Sequence, residues 1–194
     1  MKIAIFGGTF DPPHLAHLHA AQAVQSQLEI DEVIWIPAFQ NPMKQQRTAP
    51  PRKRLKMVEL CLRDQTGMSL SDLEITRGGP SFTIDTLNEM VAMMPGEYWV
   101  IMGSDSLAQF REWKQPEKIL RLARLAVITR PTVDRAVALR NFPEDWLPQV
   151  YFVEMPPSEI SSSAIRYEAS IGNPIDEFIT PAVAQYIREN NLYA

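Results

Sequence analysis

The stretch that decides the fold is residues 2–28, KIAIFGGTFDPPHLAHLHAAQAVQSQL. Lys2–Phe6 is a short, β-branched apolar run stopped by Gly7 and Gly8, the pattern of a buried strand. Pro12 and Pro13 then interrupt the chain. Leu15, Leu18, Val24 and Leu28 follow at helical spacing, which predicts a helix over 15–28. Pro13 suits the first turn of that helix, where a missing N–H costs nothing. A strand, a glycine-rich turn and a helix in immediate succession open a strand–helix–strand unit.

The alternation continues outward. Strands are expected at 32–36 (EVIWI), 68–75, 98–102 (YWVIM), 125–129 (LAVIT) and, near a sheet edge, 150–153. Helical periodicity covers 52–64, 82–94, 107–110, 116–122, 161–170 and 181–190, with Ser81 as candidate N-cap of the 82–94 helix. The segment 38–51 reads as a polar, proline-punctuated loop. Apolar strands separated by helices predict an α/β fold, a doubly wound parallel sheet covered on both faces. Ligands of such sheets bind beyond the carboxyl ends of the strands, near a topological switch point. One domain is expected over 1–194, with a sheet core at 1–153 and a small C-terminal helical part at 154–194.

Composition agrees with this reading. A chain of 194 residues that is 45% hydrophobic and 22% charged suits one packed domain, and excludes a disordered or collagen-like chain. The formal net charge of −4 argues against nucleic acid as a partner. The charge is unevenly placed: residues 33–58 hold Lys44, Arg47, Arg52, Lys53, Arg54 and Lys56 and no acid, a local setting for a small anion. Cys61 is the only cysteine, which fits a reducing compartment. No secretory leader and no apolar run of membrane-spanning length is visible, so a soluble, cytoplasmic protein without a membrane partner is expected.

The chemistry-bearing residues cluster at the strand ends. Gly7, Gly8, Thr9 and Phe10 lead into His14 and His17, and all three histidines of the chain lie within 14–19. Glycines allow close backbone approach, and the start of the following helix offers N–H donors to phosphate. His14 and His17 are three apart, so both can face one side of the first turn. Neither the dinucleotide fingerprint nor a P-loop is present, and zinc lacks ligands at metal spacing. A capped helix with surface histidines is the bland alternative. Ser161, Ser162 and Ser163 precede Arg166, a helix start that could either be capped or hold phosphate with a charged fork. Asp105, after Gly103, could cap a helix or accept from a ribose hydroxyl. Trp113 could be core or could stack on a planar ring.

Together, GGTFDPPHLAH (7–17), GGPSFT (78–83), IMGSDSL (101–107), ITRP (128–131), ISSSAIR (160–166) and YIRENNLY (186–193) resemble bacterial nicotinate-nucleotide adenylyltransferases, of the nucleotidylyltransferase superfamily. The resemblance runs through nearly the whole chain and implies a Rossmann-like fold. It implies that ATP and nicotinate mononucleotide give nicotinate adenine dinucleotide and pyrophosphate, by in-line attack on the α-phosphate without a covalent intermediate. His14, His17 and Arg166 would then be catalytic. Gly7, Gly8, Thr9, Phe10, Gly103, Asp105, Ser162, Ser163 and Ile165 would surround ATP. Lys44, Arg54, Ser81, Thr83, Trp113, Lys114 and Arg130 would serve the acceptor. Mg²⁺ is implied as the ATP counter-ion, with no tightly bound cofactor and no protein metal cage. Nicotinamide mononucleotide or phosphopantetheine as acceptor, a non-catalytic dinucleotide sensor and a homo-oligomeric state stay open. Ala16, Met43, Phe82 and Ser163 stand where the family usually has Gly, His, Tyr and Thr.

Overall fold

A computed structural model describes residues 1–43, 48–129, 135–139, 142–156 and 158–194. Among the described residues, six parallel strands form one sheet: β1 (Lys2–Gly8), β2 (Glu32–Pro37), β3 (Met68–Leu70), β4 (Glu97–Gly103), β5 (Ala123–Thr129) and β6 (Val150–Glu154). Their order is β3-β2-β1-β4-β5-β6. The chain winds outward from β1 to β3, returns to β4 on the other side of β1, and winds outward again to β6. The switch point therefore lies between β1 and β4.

The helices are α1 (Leu15–Gln27), α2 (Pro51–Leu62), α3 (Leu73–Arg77), α4 (Thr83–Met93), α5 (Ser104–Ala108), α6 (Pro116–Leu122), α7 (Arg135–Leu139), α8 (Ser162–Ser170) and α9 (Pro181–Glu189). Strand side chains alternate between two cores, as the two-residue strand period requires. Ala4, Phe6, Val33, Trp35 and Trp99 face a core shared with Leu18 and Val24 of α1, Met57 and Val58 of α2, Ile165 of α8, and Val183 and Ile187 of α9. Ile3, Ile5, Ile34, Val100 and Leu125 face a second core shared with Ile84 and Leu87 of α4, Leu107 of α5 and Ile119 of α6. The helices α8 and α9 thus pack into the same core as the sheet. Cys61 is buried in the first core, and burial pushes its thiol up to about 12, which removes it as a nucleophile at neutral pH. Among the described residues no helix is long and apolar enough to cross a membrane.

Local expectations needed correction in four places. The strand expected over 68–75 ends at Leu70, and α3 starts at Leu73. A helix already begins at Ser104, directly after β4. Pro13 lies before the N-cap of α1, which is His14 itself. Ser81 does not cap α4; Phe82 is the N-cap, and the Ser81 hydroxyl accepts the Phe39 N–H at 2.9 Å. With the Ser81 N–H donating to the Gln40 carbonyl at 2.8 Å, this stitches the loop after β2 to the turn before α4. That turn needs Gly78 and Gly79, whose φ values of 72° and 70° are left-handed.

Candidate active site

Pairing between β1 and β4 runs from Lys2–Glu97 to Ile5–Val100, and both strands continue beyond it, to Gly8 and Gly103. Their ends open a cavity of about 470 Å³. Its floor is Ile5–Gly8 and Val100–Gly103; its walls include Asn41, Glu74, Thr83, Thr86, Trp113 and Lys114. Gly7 and Gly103 are exposed, and a Cβ on either would meet nothing within 4 Å among the described residues. Gly8 is different: a Cβ there would lie 2.8 Å from Cζ of the buried Phe10 ring. Phe10 has a left-handed backbone (φ 49°), and its ring joins an aromatic nest with Phe6, Trp35 and His17. Thr9 is half-buried, and among the described residues its hydroxyl has no partner.

His14 and His17 occupy the N-cap and third position of α1 and stack, with ring centroids 3.6 Å apart. The His14 backbone N–H donates to His17 Nδ1 at 3.2 Å, in the manner of a capping box. Because Nδ1 accepts, the ring proton of a neutral His17 belongs on Nε2, which makes Nε2 a donor. His14 is 6% exposed, and burial lowers its pKa from 6.5 to about 4. Among the described residues its Nδ1 is buried without a hydrogen-bond partner. The pair therefore presents two stacked imidazoles, that of His14 neutral, at a helix start, where partial positive charge accumulates.

The start of α8 docks on the loop that precedes His14. The Ser162 hydroxyl donates to the Pro12 carbonyl at 2.9 Å, and Arg166 donates to the Asp11 carbonyl at 2.8 Å. The second Arg166 nitrogen reaches the exposed Ser163 hydroxyl at 3.4 Å. Ser161 caps the helix by accepting the Ala164 N–H at 3.2 Å. Two helix starts, α1 and α8, thus converge with Arg166 between them, a donor set suited to an anion. Ile165 does not join it: its side chain is 1% exposed in the core and its N–H donates to the Ser161 carbonyl at 3.0 Å.

Arg54 is also not where its charge suggested. It is 1% exposed and donates to three backbone carbonyls, of Thr9 (2.7 Å), Ala49 (3.0 Å) and Phe39 (3.1 Å). It ties the loop after β1 to the loop after β2, so it is a clamp rather than an acceptor contact. Lys44 and Arg130 lie outside the described residues.

Across the cavity, Thr83 opens α4, whose first N–H groups have no side-chain cap among the described residues. Trp113 is half-buried against Phe110, 5.3 Å between centroids, and lines the cavity. Lys114 is bound by both oxygens of Asp85, at 2.8 and 3.0 Å, with its ammonium 4.7 Å from the Phe82 ring centre. Its charge is thus already partnered. Asp105 is exposed in the first turn of α5, which Gly103 caps. Four residues that sequence reasoning did not single out also matter. Glu74 accepts from Thr86 (2.6 Å) in the cavity wall, and Asp11 accepts from Tyr193 (2.7 Å) beneath the histidine loop. Asp11 and Tyr193 stood inside quoted motifs, but no local pattern pairs residues 182 apart.

The described geometry has counterparts among known proteins. Residues 5–168 match the cytidylyltransferase-like family model. A protein of Herpetosiphon aurantiacus named "Probable nicotinate-nucleotide adenylyltransferase" is 36% identical over 99% of this chain and 98% of its own length. One of Symbiobacterium thermophilum with the same name is 38% identical over 99% of this chain and 95% of its own. Among solved structures, the Plasmodium falciparum nicotinic acid mononucleotide adenylyltransferase complexed with NaAD superposes with a TM-score of 0.78. It covers 99% of this chain and 97% of that one at 23% identity, a likeness of fold. With full-length relatives at this identity and a matching fold, the chain belongs to the nicotinate-nucleotide adenylyltransferase family, within the cytidylyltransferase-like group.

Proposed function

We propose that the protein transfers the adenylyl group of ATP to nicotinate mononucleotide, giving nicotinate adenine dinucleotide and pyrophosphate. The observation that carries this reading is the stacked His14–His17 pair facing the docked start of α8, beside a cavity sized for a nucleotide. A phosphate oxygen of the mononucleotide attacks the α-phosphorus of ATP, and the bond to the bridging oxygen of pyrophosphate breaks. The chain supplies position and charge neutralisation, with no protein nucleophile. His17 Nε2–H and the α1 N-terminus meet the charge that develops on the α-phosphate. Ser163 and Arg166 hold the departing phosphates. Gly7, Gly8, Gly103 and Asp105 border adenosine. ATP would be taken as its Mg²⁺ complex, the cation offsetting phosphate charge.

The pyridine ring enters the cavity, stacks on Trp113 and directs its carboxylate at the uncapped first N–H groups of α4, next to Thr83. Because Asp85 already partners Lys114, backbone donors are the better match for that carboxylate. The test is pyrophosphate release under saturating MgATP with nicotinate mononucleotide, nicotinamide mononucleotide and phosphopantetheine in parallel. The highest kcat/KM is expected with the nicotinate acceptor. No release with it, or a higher kcat/KM for either rival, overturns the reading.

A further inference from the structure

One buried acid lies beneath the histidine loop and is not part of the proposed chemistry. Asp11 is 2% exposed, and a carboxylate so placed needs donors to remain charged. It accepts the Ala49 N–H, at 3.3 Å to each oxygen, and the Tyr193 hydroxyl at 2.7 Å. Arg166 lies 4.0 Å from the same carboxylate while donating to the Asp11 backbone carbonyl. Asp11 is therefore the junction of the histidine loop, the loop before α2, the start of α8 and the segment after α9.

Tyr193 reaches this junction by an unusual path. The chain turns back after α9 with left-handed residues at Asn191 (φ 48°) and Tyr193 (φ 70°), neither of them glycine. A conformation that disfavours ordinary residues is retained where contacts hold it. Here they are the Asp11 hydrogen bond and the approach of the hydroxyl to Met57 Sδ at 3.8 Å. The helix α9 is itself fastened to α2, where Lys53 binds Asn190 and lies 5.7 Å from the Tyr186 ring centre. Burial and the adjoining Asp11 carboxylate push the Tyr193 phenol well above its ordinary pKa, so it stays a donor at every working pH.

We infer that Tyr193 is a positioning residue for ATP: through its hydroxyl on Asp11 it holds the loop of residues 9–14 against α8, which sets His14, His17 and Arg166 for the triphosphate. The inference rests on the adenylyl-transfer reading. It also predicts an asymmetry, because neither Tyr193 nor Asp11 lines the acceptor cavity.

The test compares wild type, Tyr193→Phe, Asp11→Ala, the double variant and Tyr98→Phe. Tyr98 is the control: its hydroxyl also makes a hydrogen bond that a Phe would lose, but to a backbone carbonyl, that of Met90 at 2.9 Å, on the second core. KM is measured for ATP and for the acceptor, and the Kd for ATP alone is measured by calorimetry. Tyr193→Phe should raise the ATP KM and Kd about tenfold, in keeping with loss of one hydrogen bond to a charged group, and leave the acceptor KM within about twofold. The double variant should be no worse than Asp11→Ala, because either change removes the Tyr193–Asp11 hydrogen bond. An unchanged ATP Kd in Tyr193→Phe overturns the inference, as does an equal rise in Tyr98→Phe or in the acceptor KM. Wild type that binds ATP but releases no pyrophosphate overturns the reaction instead, and the Kd ratio still decides the role of Tyr193.

Discussion

His14 and His17 share a helix turn and a stacking contact yet differ in environment. His17 has its Nδ1 bound by a backbone N–H, which puts the proton of the neutral ring on Nε2. Removing one preorganised donor at a developing oxyanion costs on the order of 10²–10³ in turnover. His17→Ala should lose that much kcat in the pyrophosphate assay, and a loss under about threefold would remove His17 from the mechanism. His14 makes a prediction about stability. Unfolded, it takes a proton below pH 6.5; folded, it does so only below about 4. Between these values the unfolded state binds more protons, so stability falls as pH falls through the window. The full effect is about 3 kcal/mol, from the size of the shift. Denaturation midpoints measured from pH 7 to pH 4 should drop less steeply for His14→Asn than for wild type. Parallel slopes would show that another group governs the acid limb.

The connection between β1 and α1 is held from both sides, by Arg54 and by Asp11. Arg54 satisfies three carbonyls from two loops, so Arg54→Ala leaves acceptors unpaired and removes a cation close to a buried acid. Such losses cost roughly 3–5 kcal/mol. Urea denaturation should show a fall of that size; a fall under about 1 kcal/mol would mean that solvent replaces the clamp. The glycines of the same turn separate two roles. Gly8→Ala places a methyl against the buried Phe10 ring and should destabilise by roughly 1–3 kcal/mol. Gly7→Ala meets no neighbour and should leave stability within about 0.5 kcal/mol. Equal melting temperatures for the two variants would contradict this contrast.

Across the whole molecule, the switch point divides the work. In the proposed reaction the triphosphate would lie at the helix starts of α1 and α8, whereas the cavity proposed for the acceptor draws its walls from the loop after β2, α4 and the segment around Trp113. The halves meet at Gly7 and Gly8. Trp113→Ala should therefore raise the acceptor KM by about tenfold or more, since stacking on a ring contributes about 1–3 kcal/mol, and leave the ATP KM within about twofold. A matched rise in both constants would show that the halves are coupled through the sheet.

Strand–helix alternation, the glycine turn and the histidine pair were legible in residues 2–28 because hydrophobic period and turn chemistry are short-range properties. The six ordered motifs likewise pointed to the family before any contact was seen. Partner choice was not legible, because a charge or hydroxyl carries no record of what the fold brings to it. The basic segment looked like an anion site, yet packing buries Arg54 among carbonyls. Ser81 had the spacing of a cap, yet a neighbouring loop takes its hydroxyl. Ile165 stood inside a phosphate motif, yet the helical period turns it into the core. The link from Tyr193 to Asp11 spans 182 residues, and it exists only because α9 packs on α2 and the chain turns back beneath the histidine loop. Local sequence determined the scaffold and the donors; long-range packing decided which of them face a ligand and which hold the others in place.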